Sequence, residues 1–245
     1  MKTVLKTMTA MVLTAVFAVG CSKPDYPYNG EGTGVYNGHE YVDLGLPSGT
    51  LWATCNVGAK APRDYGDYFA WGETSAKTNY DLGIYKYYEI WDGDSSGLTK
   101  YCNNPYRGYN GFTDDLTVLQ PEDDAATANW GSGWCMPTIE QWEELMDNTI
   151  TAWIVTNEVS GRLFTASNGN SVFLPAAGQW FGDDGPDYID AGGSYWSKTL
   201  DLNDPDGAFH FRCGNGGCGI NEWGHFRVEG LSVRPVCSAL QNQQK

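Results

Sequence analysis

The sequence predicts an α+β domain. Three observations carry this reading: short β-prone segments recur with Gly or Pro punctuation, two stretches near the middle read as helices, and long Gly-rich loops join the elements. The β-prone segments ahead of the helices are Glu40–Leu44, Thr50–Asn56 and Tyr68–Trp71. The first helix runs from Pro121 through Glu122-Asp123-Asp124-Ala125-Ala126-Thr127-Ala128, with acids at its N-terminus where the helix dipole favours negative charge. The second begins at Thr138, where Thr138-Ile139-Glu140-Gln141 forms a capping box after Pro137, and continues through Trp142, Leu145 and Met146 at helical spacing. Strands follow at Thr151–Thr156, Arg162–Ala166, Ser171–Leu174, Ala208–Arg212 and Leu231–Val236.

The ends of the chain set its context. Residues 1–20 read as an export signal: Lys2 and Lys6 supply the charged start, Met8 to Val19 the apolar core, and Ala18-Val19-Gly20 a small-residue approach to Cys21. The apolar run is too short to span a bilayer comfortably. A Cys directly after such a segment is where bacterial lipoprotein signals are cut and acylated, so Cys21 is the expected lipidation site, although Ala18 stands where the usual box has Leu. By analogy with lipoprotein sorting, Ser22 argues against retention in the inner membrane. The expected location is the outer membrane of a Gram-negative cell, lipid-anchored and at the cell surface. Residues 21–35, with Pro24, Pro27, Gly30, Gly32 and Gly34, read as a tether. A single domain is expected over 36–240, with a polar tail over 241–245.

Removing residues 1–20 takes away Lys2 and Lys6 and no acid, leaving 13 basic and 30 acidic residues, a net charge of −17. Such a surface repels a phosphate backbone and argues against nucleic acid as a partner. It also disfavours anionic membrane surfaces, so the N-terminal lipid is the expected membrane contact.

Six cysteines follow Cys21: Cys55, Cys102, Cys135, Cys213, Cys218 and Cys237. An exported chain meets an oxidising compartment, where disulfides are allowed, but the sequence does not choose among pairings. Cys213 and Cys218 are close enough to pair locally, and Cys55 with Cys237 would join the two ends of the domain.

Catalytic signatures are absent from the sequence. The histidines are His39, His210 and His225, none in an HExxH arrangement, and neither a GxSxG elbow nor a Gly-Lys-Ser/Thr phosphate loop occurs. Gly214-Asn215-Gly216-Gly217-Cys218-Gly219 matches a dinucleotide fingerprint formally, yet no helix follows to present amides to a pyrophosphate. His210, Cys213, Cys218 and His225 could in principle bind zinc. The favoured alternative is a Cys213–Cys218 disulfide with the histidines as polar loop residues. Asp92, Asp94, Ser96 and Gly97 fit the opening of a calcium loop, but the twelfth position is Asn103 rather than a bidentate Glu, so a metal-free turn is favoured. The chain is therefore read as non-enzymatic, with no cofactor and no metal.

A resemblance sharpens the reading. The run Tyr41-Val42-Asp43-Leu44-Gly45-Leu46-Pro47-Ser48-Gly49-Thr50-Leu51-Trp52-Ala53-Thr54-Cys55-Asn56-Val57-Gly58-Ala59, followed by Gly66-Asp67-Tyr68-Phe69-Ala70-Trp71-Gly72-Glu73, closely resembles the Fibrobacter succinogenes major paralogous domain family common in Bacteroidota. Glu122-Asp123-Asp124-Ala125-Ala126, Met136-Pro137-Thr138, Leu174-Pro175-Ala176-Ala177-Gly178, Tyr195-Trp196-Ser197 and Gly230-Leu231-Ser232-Val233-Arg234-Pro235-Val236 extend it over nearly the whole mature chain. Cys135 departs from the pattern, since relatives tend to carry Arg before Met-Pro-Thr. The resemblance implies a C-type-lectin-like fold with short antiparallel strands, related to the formylglycine-generating enzymes and displayed on secreted or surface proteins. Because that enzyme class holds copper with a cysteine pair, and Gly192-Gly193-Ser194-Tyr195-Trp196 resembles its core, an oxidase or metal-dependent enzyme is one alternative. Here, however, the cysteines lie in a different run. The sugar-and-calcium motifs of true C-type lectins are absent, and Gln120-Pro121-Glu122 is only a near miss. The fold therefore does not by itself imply sugar binding.

The segment Ala208–Phe226 is the expected contact surface. Where relatives tend to carry Asn and Tyr, it mixes aromatic, basic, Gly and Cys residues, a composition suited to a paratope. His210, Arg212, Asn215, Asn221, Trp223 and His225 are the expected ligand contacts, aided by Trp196 and Trp180. Phe209 and Phe211 read equally well as inward strand positions. The expected function is a surface or periplasmic ligand-binding lipoprotein, receptor- or adhesin-like, with a protein or glycan ligand. Some proteins of this fold are variable receptors of diversity-generating retroelements, and Asn-type codons rewritten at adenine yield the Gly, Cys, Arg, His and Phe found here. A structural subunit of the cell envelope is the remaining alternative.

Overall fold

The computed structural model describes residues 32–90, 96–221 and 224–238. Short strands, nearly all antiparallel, surround two α-helices and give a β-rich α+β fold. Among the described residues no helix is long and apolar enough to cross a membrane. The expected signal segment, Cys21, Asp92, Asp94, Trp223 and the polar tail lie outside the described residues.

The first sheet joins the two ends of the domain. Asn37 (φ 47°) and Gly38 (φ 82°) make the two-residue turn that lets Gly34–Tyr36 pair back on His39–Val42, with Tyr36 opposite His39. The strand Gly34–Tyr36 thus overlaps the end of the span expected to be tether. Thr50–Ala53 adds to this hairpin, and Val236–Ser238 pairs with Thr50–Ala53, placing Cys237 opposite Leu51. Cys55 lies beyond the last paired residue of that ladder, so the register does not bring it to Cys237. The backbone instead sets Cys135 beside Val236, through reciprocal hydrogen bonds of 3.0 and 2.9 Å.

The central sheet is built around Gly192–Leu200, flanked by Gly207–Gly214 and Leu231–Ser232, with Gly217–Ile220 and Tyr68–Phe69 at its edges. The Tyr195–Ser232 pairing is parallel. Alternation along the strands splits the core in two. On one face Trp196, Leu200 and Ala208 pack with Trp71, Leu231 and Val233. On the other, Tyr195, Phe211 and Cys213 pack with Trp142, Leu145, Phe164 and Val172.

Leu231–Val236, expected as one strand, is divided between the sheets. Leu231–Ser232 belongs to the central sheet and Val236–Ser238 to the first, with Pro235, which has no N–H to donate, in the crossing. Arg234 is fully buried there and donates to Asn56 Oδ1 at 2.8 Å, Ala53 O at 3.0 Å and Thr54 O at 2.8 Å, which ties the crossing to the first sheet.

Helix α1 (Ala125–Trp130) starts later than the acidic run predicts. Pro121–Asp123 forms a separate 3-10 turn, and the Asp124 carboxylate caps α1 by accepting from Thr127 N while also accepting from Met136 N. Helix α2 (Ile139–Asp147) carries the expected capping box between Thr138 and Gln141 and buries Trp142 and Leu145 under the central sheet. A three-stranded meander, Thr149–Thr156, Val159–Ala166 and Ser171–Pro175, covers the same side.

Candidate functional site

The strand Gly207–Gly214 and the hairpin beyond it hold most of the residues expected to meet a ligand, and strand alternation sorts them. Arg212 and Asn215 are exposed and Asn221 is half-buried, as a contact role requires. His210 is not displayed: only 2% of it is exposed, and it packs under Trp196, its cross-strand partner, with ring centroids 6.2 Å apart. Burial first, then the neighbouring His225 and Arg212, push the His210 pKa down to about 3. Trp196 is likewise fully buried, and its indole N–H donates to Phe69 O at 2.7 Å. Both expectations of surface contact are therefore corrected, because the two side chains share the inward face of a sheet covered by the Trp71 core. Phe211 takes the opposite face and stacks on Trp142, while Phe209 is half-buried.

His225 is half-buried, 4.8 Å ring to ring from His210, and its Nε2 lies 2.6 Å from Glu229 Oε2 without hydrogen-bond geometry. The hypothetical zinc quartet is split by the sheet. His210 faces Trp196 and His225, whereas Cys213 and its partner Cys218 belong to the Phe211 face. Among the described residues no group of three or more His, Cys, Asp or Glu side chains converges to hold a metal.

A cleft of about 480 Å³ opens beside the end of the same segment. Phe226 forms one lip, at the close of His225–Phe226, which pairs with the start of Gly207–Gly214. Phe181 forms another. It is carried there by reciprocal backbone hydrogen bonds between Trp180 and Gly230, both 2.8 Å, and by Tyr80 N donating to Gly182 O at 2.9 Å. That approach requires Gly230, since a Cβ there would meet the Tyr80 ring at 2.6 Å. Leu82, on the 3-10 turn Leu82–Ile84, completes the rim. Phe181 and Phe226 are each 59% exposed and Leu82 45%, a grouping that stands out against scattered surface apolar residues.

The floor of the cleft is rigid. Arg227 is 1% exposed, lies 5.0 Å from the Trp71 ring centroid, and donates to Tyr85 Oη, Tyr101 O, Pro205 O and Lys100 O at 2.9–3.0 Å. Tyr85 donates in turn to Trp71 O at 2.7 Å, and burial raises its pKa to about 12. Arg107 at the wall is held by Asp206 at 2.9 Å and Asp204 at 3.8 Å. Burial raises the Asp206 pKa, and Arg107 opposes that shift. The arrangement offers apolar rings on a preformed base with charge at the margin, and it suits binding.

Of this cleft the sequence reading reached Phe226 and the neighbouring Trp180. It missed Phe181, Tyr85, Tyr88 and Arg107. The Gly-Asp-Asp-Gly turn after Phe181 was the available signal, since such a polar turn runs over the surface and carries its neighbour there.

Comparison of the chain with protein-family models, with curated proteins and with solved structures found no match.

Proposed function

We propose that this chain is a non-enzymatic ligand-binding lipoprotein, receptor- or adhesin-like. In this reading it is anchored through lipid on Cys21 in the outer membrane and carries a C-type-lectin-like domain of the Fibrobacter succinogenes major paralogous type. The observation that carries the binding role is the open cleft rimmed by Phe181, Phe226 and Leu82 over the fixed Arg227–Tyr85 floor. Exposed aromatics around a preformed cavity give much contact area at little ordering cost.

The ligand that fits is a protein segment with an apolar or aromatic anchor flanked by basic residues. The Arg107 charge is already engaged by Asp206 and Asp204, Asp81 lies at the mouth, and the chain as a whole is strongly acidic. Complementary charge speeds encounter and orients the partner. Arg212, Asn215 and Asn221 flank the hairpin and supply a secondary polar surface. The exposure of Arg212 and Asn215 supports the sharper form of the reading, a receptor diversified in the segment Ala208–Phe226.

Selection of a random phage-displayed peptide library on the purified protein tests the proposal, with a glycan array run beside it. Peptides that join an aromatic to Lys or Arg, and that lose binding to Phe226→Ala and Phe181→Ala variants, support it. Binders indifferent to both substitutions, or glycans alone, overturn it. The diversified form requires a reverse transcriptase downstream of the gene together with a near-copy of the codons for Ala208–Phe226.

A further inference from the structure

The second feature of the segment is a thiol pair that ligand binding does not use. Cys213 and Cys218 are Cα partners across the hairpin of Gly207–Gly214 and Gly217–Ile220. Asn221 N donates to His210 O at 3.2 Å. Bonded and non-bonded pairs alternate along an antiparallel ladder, so Arg212/Gly219 and Gly214/Gly217 share the bonded class of His210/Asn221. Cys213/Cys218 then falls in the non-bonded class, where Cα atoms stand about 4.5 Å apart and side chains closest, within the range a disulfide needs.

The two sulfurs are unequal. Cys213 is 2% exposed in the Phe211 core, whereas Cys218 is half-buried on the edge strand. Cys218 lines an open groove with Arg212, Ile220 and Asn221, and Gly217 and Gly219 on either side leave the approach clear: a Cβ at either would meet nothing within 4 Å. Arg162, 7% exposed, reaches across from the meander and donates to Gly214 O, which sets its guanidinium beside Cys218. The Cys213 thiol hydrogen-bonds to Cys218, and together with Arg162 this lowers the Cys218 pKa against its partial burial. Burial and the same bond raise that of Cys213. A stabilised, reachable thiolate is the nucleophilic member of such a pair.

We propose that Cys213 and Cys218 form a redox-active pair that closes a cross-strand disulfide by exchange with an external disulfide, Cys218 attacking and Cys213 resolving. The Cys218 thiolate attacks R–S–S–R, forming Cys218–S–S–R and releasing RS⁻. Cys213 loses its proton to that RS⁻ and attacks the Cys218 sulfur, expelling the second RS⁻. Two protein thiols are oxidised, the external disulfide is reduced to two thiols, and a dithiol reductant reverses the sequence. Closure clamps the hairpin that displays Arg212 and Asn215.

Trypsin isolates both cysteines, and no others, on the peptide Cys213–Arg227. The test is to equilibrate the reduced protein with oxidised and reduced glutathione at graded ratios, block free thiols with iodoacetamide, and weigh that peptide. With oxidised glutathione in excess the peptide should lose two hydrogens and resist alkylation. The Cys213→Ala variant, chosen to keep a small apolar group in the core, should trap a glutathione adduct on Cys218, while Cys218→Ser should leave Cys213 unmodified. Near-UV circular dichroism matching that of the parent protein qualifies each variant, and the wild-type peptide decides the matter if one fails to fold. Full alkylation of both cysteines at every ratio, or equal adducts on the two variants, would overturn the proposal.

Discussion

The rings of Trp142 and Phe211 lie parallel, 4.4 Å between centroids and 5° between planes, and this stack fixes α2 against the central sheet. Phe211 is fully buried and also contacts Phe164 at 6.0 Å. Truncation by Phe211→Ala removes the stack and leaves a cavity, and should cost about 3–5 kcal/mol. The drop in urea midpoint at constant slope measures it. Loss below about 1 kcal/mol would show that α2 is held by other contacts.

His210 makes stability depend on pH. Its pKa falls from 6.5 to about 3 on folding, through burial first and then the neighbouring His225 and Arg212, with Glu229 set against His225. Above pH 6.5 the imidazole is neutral in both states and contributes no penalty. As pH falls below 6.5 the unfolded chain takes up a proton that the folded chain refuses, so stability declines, by at most about 1.4 kcal/mol per pH unit, until the folded group titrates near pH 3. Denaturation curves between pH 6.5 and 4.5 should be flatter for His210→Leu than for the parent, and equal slopes would exclude His210 as the source.

Asp123 organises the wall behind the cleft floor. It is 2% exposed and accepts from Lys86 at 3.0 Å, Lys100 at 2.5 Å, Tyr101 at 2.7 Å and Tyr87. Burial alone would raise its pKa, but hydrogen bonds from Lys100, Tyr87, Tyr101 and Lys86 hold it well below the usual carboxylate range. Its contribution is present above the unfolded pKa and is lost as pH falls below that value. Asp123→Asn leaves two lysines facing a neutral amide and should cost about 3 kcal/mol at pH 7, read from chemical denaturation. A smaller loss at pH 3 than at pH 7 would mark the charge as the cause.

The rim aromatics should separate binding from folding. Phe181→Ala and Phe226→Ala remove largely exposed rings and should change stability by no more than about 0.5 kcal/mol. Each should weaken a selected peptide at least tenfold, about 1.4 kcal/mol, by titration calorimetry. Undiminished affinity in both variants would remove the cleft as the contact site.

The sequence made the elements legible and their exposure much less so. The capping box at Thr138 and Gln141 is local chemistry and appears where read, as do the strand starts at Thr50 and Ser171, while the strand read from Thr151 begins at Thr149. The helix at Pro121 was misplaced because Asp124, not the residues before it, carries the capping carboxylate. His210 and Trp196 looked like a contact surface because polar and aromatic character was read without knowing which strands lie on either side. Burial of alternate positions depends on what covers each face of Gly207–Gly214; its pairing with the preceding strand Gly192–Leu200 is local, but the Trp71 core over the His210 face comes from distant sequence. The cleft was least visible, since its lips, Leu82, Phe181 and Phe226, come from three separate loops or strand ends that only the finished topology assembles.

The pairing of Val236–Ser238 with Thr50–Ala53 gives the chain a built-in delay. A strand near the start of the domain waits for one near its end, so the first sheet stays incomplete while most of the polypeptide is already made. If the chain is exported as proposed, that ordering keeps the first sheet open until Val236–Ser238 has crossed. Removing residues 234–245 should therefore leave Thr50–Ala53 without this partner and yield a product that proteases cut far faster than the parent.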